Sequence, residues 1–397
     1  MIGLGAVPIL GAQPLVAVAQ GASEVPIGMA LPFSGTTGPY GPEMKRAADI
    51  AVTAINNAGG ILGGRKLRIY AEDTETSPTV TVTAVKKLLE VNKVEVVGGF
   101  WGSPEALAAK PLILAANKVL MVSSSADAIT AGETKGLVYR FQAKASQWGP
   151  AGAKVMKGLG LKSVNLLAQQ NAFVISMIEP FKAEMAKLGG SVGQVVMYNP
   201  EQASYRTEVE RAFGSNPDGV FCLSLLADFI AISKEAYRGG FKSRIVALSV
   251  GADAEGAFLR SVNADVAEGI HHLQPAPPLG SAAYKKFVKA MGASEEAVFL
   301  FAGNAYDQIC VTALAMEHAK SSDAAVWSKS IREVCNPPGE EVDDVVKALE
   351  MVRAGKSINF IGAGATCDFD ERGDQINRSF LHQVIEKGKN RIVGAVT

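Results

Sequence analysis

Two short segments of this sequence gather polar groups that could hold a small molecule. The first is Gly98-Gly99-Phe100-Trp101-Gly102-Ser103-Pro104, where an apolar run passes into an amphipathic one. A strand-to-helix junction of this kind leaves backbone N–H groups without intrahelical partners, and the helix dipole adds partial positive charge. It can therefore receive an anionic group. Trp101 lies in this turn, Gly102 lets a ligand approach the backbone, and Ser103 offers a hydroxyl. The competing role for Ser103 is to cap the helix it opens. The second segment is Ser123-Ser124-Ser125-Ala126-Asp127, again directly after an apolar run. Serines at the carboxyl end of a strand stand where open α/β sheets place their ligands. Asp127 brings a negative charge suited to an ammonium or hydroxyl group; its competing role is a turn or cap residue.

Catalytic chemistry finds little support. The four histidines are His271, His272, His318 and His382. His271 and His272 are adjacent, so on a strand they point to opposite faces and cannot share a metal. His318 follows Glu317 in a helical run with no ligand at i+4. No G-x-S-x-G elbow, P-loop or H-E-x-x-H occurs, and Gly362-Ala363-Gly364 does not fit a dinucleotide fingerprint. The expectation is a protein that is not an enzyme and carries no cofactor and no metal. Lys plus Arg number 39 and Asp plus Glu 39, so the formal net charge is zero. With no basic excess or stripe, nucleic acid is not an expected partner.

The elements that must position the two segments alternate in type. Strands are predicted at 25–31, 67–72, 94–98 and 119–123, with helices at 42–58 and 77–89 and another opening at Ser103-Pro104. After Tyr139-Arg140-Phe141 the rhythm restarts, with strands at 163–167, 191–197, 219–223 and 244–248 and helices at 146–158, 173–188, 205–213 and 227–237. Long helices follow at 281–291, 295–320 and 324–334, then a strand at 379–385. Strand–helix alternation is the mark of a parallel sheet covered by helices on both faces. A chain of 397 residues is long for one core and comfortable for two.

The first 24 residues carry no charged side chain until Glu24, and Ala17-Val18-Ala19 fits an A-x-A cleavage site. They read as a signal-peptide remnant, so the mature chain is expected to be exported to the periplasm. Four cysteines occur without a C-x-x-C. Cys222 and Cys310 fall in apolar runs and are expected as buried thiols. Cys335 and Cys367 lie beside turn-rich sequence and are expected to form a disulfide in an oxidising compartment.

The segment Ile27-Gly28-Met29-Ala30-Leu31-Pro32-Phe33-Ser34-Gly35, then Tyr40-Gly41 and Ala54-Ile55-Asn56-Asn57-Ala58-Gly59-Gly60-Ile61, resembles the opening of the leucine/isoleucine/valine-binding protein family. The run Ile358-Asn359-Phe360-Ile361-Gly362-Ala363, with Phe369-Asp370-Glu371-Arg372-Gly373-Asp374, resembles its C-terminal pattern. The resemblance implies a type I periplasmic-binding-protein fold: two doubly wound α/β lobes, a central cleft and a hinge of three crossings. The lobes are expected at 25–144 plus 274–363 and at 145–273 plus 364–397. It also implies a monomer that binds a small molecule and serves the membrane permease of an ABC importer. A ligand-sensing receptor or regulator of the same fold is the alternative.

Carried over residue by residue, the resemblance makes Tyr40 the aromatic cover of the first lobe. Gly102 and Ser103 match the carboxylate-binding turn. Ala126 and Asp127 match a pair whose second member is normally Ser or Thr. Phe173 and Leu225 stand where the family has second-lobe tyrosines, and Asp253 stands near its amine-binding acid. Without those tyrosine hydroxyls the second-lobe wall is more apolar, and an unpaired buried ammonium is costly. Either Asp127 supplies the charge, and the ligand is an amino acid of branched-chain or other apolar type, or the ligand is an aromatic or aliphatic carboxylate or amide with no ammonium group. On the first view Asp127 carries the polar discrimination while Tyr40 and Phe173 clamp the apolar part from opposite lobes.

Overall fold

Short apolar runs with no polar alternation form strands that must be covered on both faces, and Val96–Gly99 and Val119–Val122 are buried throughout. In the computed structural model, which describes residues 24–254, 256–376 and 379–396, these two runs lie in a five-stranded sheet. The expected leader falls, apart from Glu24, outside the described residues. The sheet is built by β1 (Glu24–Leu31), β2 (Lys66–Asp73), β3 (Val96–Gly99), β4 (Val119–Val122) and β5 (Val138–Arg140), in the order β2-β1-β3-β4-β5 and parallel throughout. Between them run α1 (Tyr40–Asn57), α2 (Pro78–Glu90) and α3 (Ser103–Ala115).

The second sheet has seven strands: β6 (Ser163–Gln169), β7 (Ser191–Tyr198), β8 (Gly219–Leu223), β9 (Arg244–Leu248), β10 (His271–Pro275), β13 (Phe380–Glu386) and β14 (Lys389–Val396). Its order is β14-β13-β10-β9-β8-β6-β7, and the pairs made by β13 are antiparallel. Helices α4 (Ala145–Gly158), α5 (Ala172–Lys187), α6 (Arg206–Phe213) and α7 (Leu226–Arg238) connect the early strands. Three short helical turns follow β9: α8 (Ser249–Ala252), α9 (Ala257–Ser261) and α10 (Ala264–Ala267). The chain then returns to the first lobe as α11 (Ala282–Ala290), α12 (Ala302–Ala319), α13 (Ala324–Cys335) and α14 (Val345–Arg353), with a small parallel pair, β11 (Glu340–Val342) and β12 (Ile358–Phe360). No helix among the described residues is long and apolar enough to cross a membrane.

The two lobes and the three passages between them are the expected architecture. The first passage joins β5 to α4, the second β10 to α11, and the third β12 to β13. Several details differ from the sequence reading. The helix expected from Glu295 starts at Ala302, because 295–301 are turns that bring Phe301 to the front of α12. The hairpin partner β14 went unread, since its exposed outer face alternates weakly. Strand β10 also went unread: its fully buried His272 and Gln274 are polar and mask the apolar pattern. Its adjacent histidines do point apart. His271 meets His382 at 2.9 Å, while His272 meets Ser249 at 2.7 Å and Asn390 at 3.1 Å.

The expected Cys335–Cys367 bridge is not formed: no disulfide occurs among the described residues, and all four cysteines are buried thiols. Cys335, the last residue of α13, and Cys367, whose sulfur lies against Gly362 beside the Asp307 carboxylate, share one buried core but stay separate thiols. Turn-rich flanks say nothing about where two sulfurs point, and a disulfide needs a narrow geometry.

Candidate functional site

The loops that leave the carboxyl ends of the parallel strands in both lobes face one another across a cavity of ≈ 300 Å³. From the first lobe come Thr36 after β1, Thr76 after β2, Trp101 to Glu105 after β3 and Ser123 to Ser125 after β4. From the second lobe come Gln169 to Asn171 and Phe173 after β6, Glu201 after β7, Leu225 after β8 and Val250 after β9. Trp148 from α4 and Phe301 from the turn before α12 complete the apolar lining. A volume of this size suits a molecule of amino-acid dimensions.

The β3–α3 turn is held by backbone geometry. Gly99 has φ +92, and a Cβ there would stand 2.6 Å from the Ala30 carbonyl oxygen, so only glycine fits. Its N–H donates to Gln308 Oε1 at 2.8 Å, and Gln308 Nε2 donates to Ser123 Oγ at 3.0 Å, so α12 ties the two cleft segments together from behind. Ser103 neither caps α3 nor stands as its N-cap. The N-cap is Gly102, and Ser103 Oγ accepts from Ala126 N–H at 3.0 Å. That bond joins the two cleft segments and leaves the Ser103 O–H free to donate.

Trp101, Gly102, Ser103, Ser125, Phe173 and Leu225 all line the cavity. Tyr40, Ala126, Asp127 and Asp253 do not. Tyr40 is buried behind Trp101 and stacks on it with ring centroids 5.1 Å apart, so it supports the aromatic wall from the rear. The proposed clamp of Tyr40 and Phe173 is therefore replaced by Trp101 from the first lobe and Phe173 from the second, the latter edge-on to Trp148 at 5.3 Å. Ala126 is buried, and its carbonyl accepts from Arg140 at 3.0 Å. Asp127 accepts from Ser146 N–H at 3.0 Å and so caps the start of α4 at the first passage, which corrects its reading as the polar discriminator. Asp253 accepts from Gly256 N–H at 3.0 Å and closes the α8–α9 turn.

Four polar atoms in residues lining the cavity are buried without a hydrogen-bond partner: Glu105 Oε2, Ser124 Oγ, Trp101 Nε1 and Trp148 Nε1. Glu105 is 4% exposed, and burial pushes its carboxyl up while a hydrogen bond to its own backbone pulls the other way. The sequence reading missed Glu105, Trp148, Phe301 and the amides at 169–171. The signal that could have found the amides is position, since 169–171 stand at and just past the carboxyl end of β6. Glu105 had no such signal, because an acidic residue in a helix's first turn is ordinary.

A family model described as periplasmic binding protein matches residues 24–365. The Leu/Ile/Val-binding protein BraC3 of Rhizobium johnstonii is 26% identical over 382 residues, covering 92% of this chain and 93% of that protein. The leucine-binding protein LivK of Thermotoga maritima superposes with a TM-score of 0.80 at 21% identity, over 94% of this chain and 99% of that one. A solute-binding protein of an R. palustris ABC transporter, in complex with benzoate, superposes with a TM-score of 0.74 at 17% identity, over 94% and 96% of the two chains.

Proposed function

This chain belongs to the periplasmic binding protein family, which binds solutes rather than transforming them, and from that premise we propose that it captures one small, largely apolar solute in the periplasm and delivers it to the permease of an ABC importer. The observation that carries this reading is the ≈ 300 Å³ cavity lined from both lobes by Trp101, Trp148, Phe173, Leu225, Val250 and Phe301. A solute that touches both lobes favours the closed arrangement over the open one. Both amino acids and aromatic acids are in view as solutes: the related BraC3 is named for Leu, Ile and Val, and the R. palustris protein of the same fold holds benzoate.

Mass spectrometry of the small molecule that co-purifies with the exported protein tests the reading. A single small solute that fits the ≈ 300 Å³ cavity is the expected result. Scattering should then show a smaller radius of gyration at saturation. Curves that superimpose with and without the saturating solute count against it.

A further inference from the structure

We infer that the cleft recognises a solute whose head group donates N–H bonds, a primary carboxamide or an ammonium, to Glu105, and that it disfavours the matching carboxylate. This rests on the cleft being the solute site. Glu105 is the third residue of α3, and its carboxylate fills the space above Gly102, where a Cβ would overlap it. It therefore lies over the helix N-terminus, whose unpaired N–H groups would otherwise meet an anion. A hydrogen bond to its own backbone N–H answers part of that demand. The remaining oxygen, Oε2, is shut off from solvent with no partner among the described residues.

A buried carboxylate oxygen in that state calls for a donor. The described residues lining the cavity include no Lys or Arg, and their ionisable members are Glu105 and Glu201. Arg140, behind Ser124, is committed to Asp374 and to the Ser124 and Ala126 carbonyls. With Glu105 ionised, a ligand carboxylate at the α3 turn would meet a carboxylate already seated there and no cation to offset it. The other partnerless groups of the lining, Ser124 Oγ and the indole nitrogens of Trp101 and Trp148, can all donate. An orphaned acceptor and orphaned donors in one lining complement a head that carries N–H and C=O together, as a carboxamide does.

The test is calorimetric titration of the full chain in mildly alkaline buffer with two matched series. One is isovaleramide, isoamylamine and isovalerate; the other is benzamide, benzylamine and benzoate. The amide or the amine of at least one series should bind about tenfold or more tightly than its acid, the scale of a hydrogen bond to a charged group. Glu105→Gln keeps the shape and adds an N–H donor, so it should admit the acid and narrow that preference about fivefold or more. A wild type that binds the acids as tightly as the amides and amines, or that binds no amide or amine, overturns the inference. Phe173→Ala separates this failure from failure of the solute-site reading. If it weakens every probe while the acids stay preferred, the cleft stands and the role of Glu105 falls. If probes bind and Phe173→Ala leaves all of them unchanged, the cleft itself is misassigned.

Discussion

Arg140 Nε donates to Asp374 Oδ1 at 2.7 Å, and both side chains are closed off from water, at 0% and 2% exposure. The pair joins the end of β5, where the first passage begins, to the third passage between β12 and β13. Arg140 also donates to the Ser124 carbonyl at 2.8 Å, and Lys144 reaches Asp374 Oδ2 at 3.1 Å. Burial alone would raise the Asp374 carboxyl, but the charge and hydrogen bond of Arg140, with Lys144 and Thr130, outweigh it and hold it below the usual carboxylate range. The pair thus ties two hinge segments to the wall of the cleft.

Asp374→Asn should therefore lower stability by about 3–5 kcal/mol, because it leaves a buried guanidinium without its counter-charge. The stability contributed by a carboxyl with a lowered folded pKa is present above the ordinary carboxylate range and is lost as pH falls through the folded value. Chemical denaturation at neutral and acid pH checks both points. The variant should show less acid-dependent loss than the wild type.

The His271–His382 contact sets a second pH dependence. Burial and neighbouring charge push both imidazoles down to about 4, so both are neutral in the folded protein at neutral pH. The unfolded chain takes up protons near pH ~6.5, so stability should be intact above that value and decline as pH falls from there toward 4. His382→Gln should flatten the decline in melting temperature across that window. An unchanged slope would remove the pair as its cause.

Asp127 and Phe173 should separate stability from binding. Asp127→Ala removes the acceptor for Ser146 N–H and should cost about 1 kcal/mol, with solute affinity unchanged within a factor of about two. Phe173→Ala removes part of the apolar wall and should weaken solute binding by about 1–3 kcal/mol. Titration calorimetry and denaturation on both variants decide this, and a large affinity loss for Asp127→Ala would restore it to the site.

Gly102 and Glu105 should be energetically coupled. A methyl group at Gly102 overlaps the Glu105 carboxylate, so Gly102→Ala should destabilise on its own and do so much less beside Glu105→Ala. A double-mutant cycle should return a coupling of roughly 0.5–3 kcal/mol. Additive effects would mean that the carboxylate moves aside without cost.

The thiols offer a chemical check. Alkylation of the unfolded, unreduced protein should label all four cysteines. Labelling of two would restore the Cys335–Cys367 bridge.

Much of the architecture was legible because periodicity is local. Strands β1 to β4 and β6 to β9 declare themselves through apolar runs, and Ser77-Pro78 and Gly59-Gly60 punctuate helices whatever the rest of the chain does. The two cleft segments were legible for the same reason, being turns directly after such runs. Strand β10 and its partner β13 lie about a hundred residues apart, and neither polar His272 nor Gln274 advertises a central strand. The direction of each polar side chain was settled only by the assembled fold. Asp127 met Ser146 at the hinge, Ser103 met Ala126, Tyr40 was covered by Trp101, and Cys367 turned toward Asp307. Glu105 looked like any first-turn acid until the fold set its carboxylate over Gly102 with one oxygen unanswered. Residue type and spacing set where a loop begins, whereas the partner a loop side chain finds depends on residues brought beside it from distant parts of the chain.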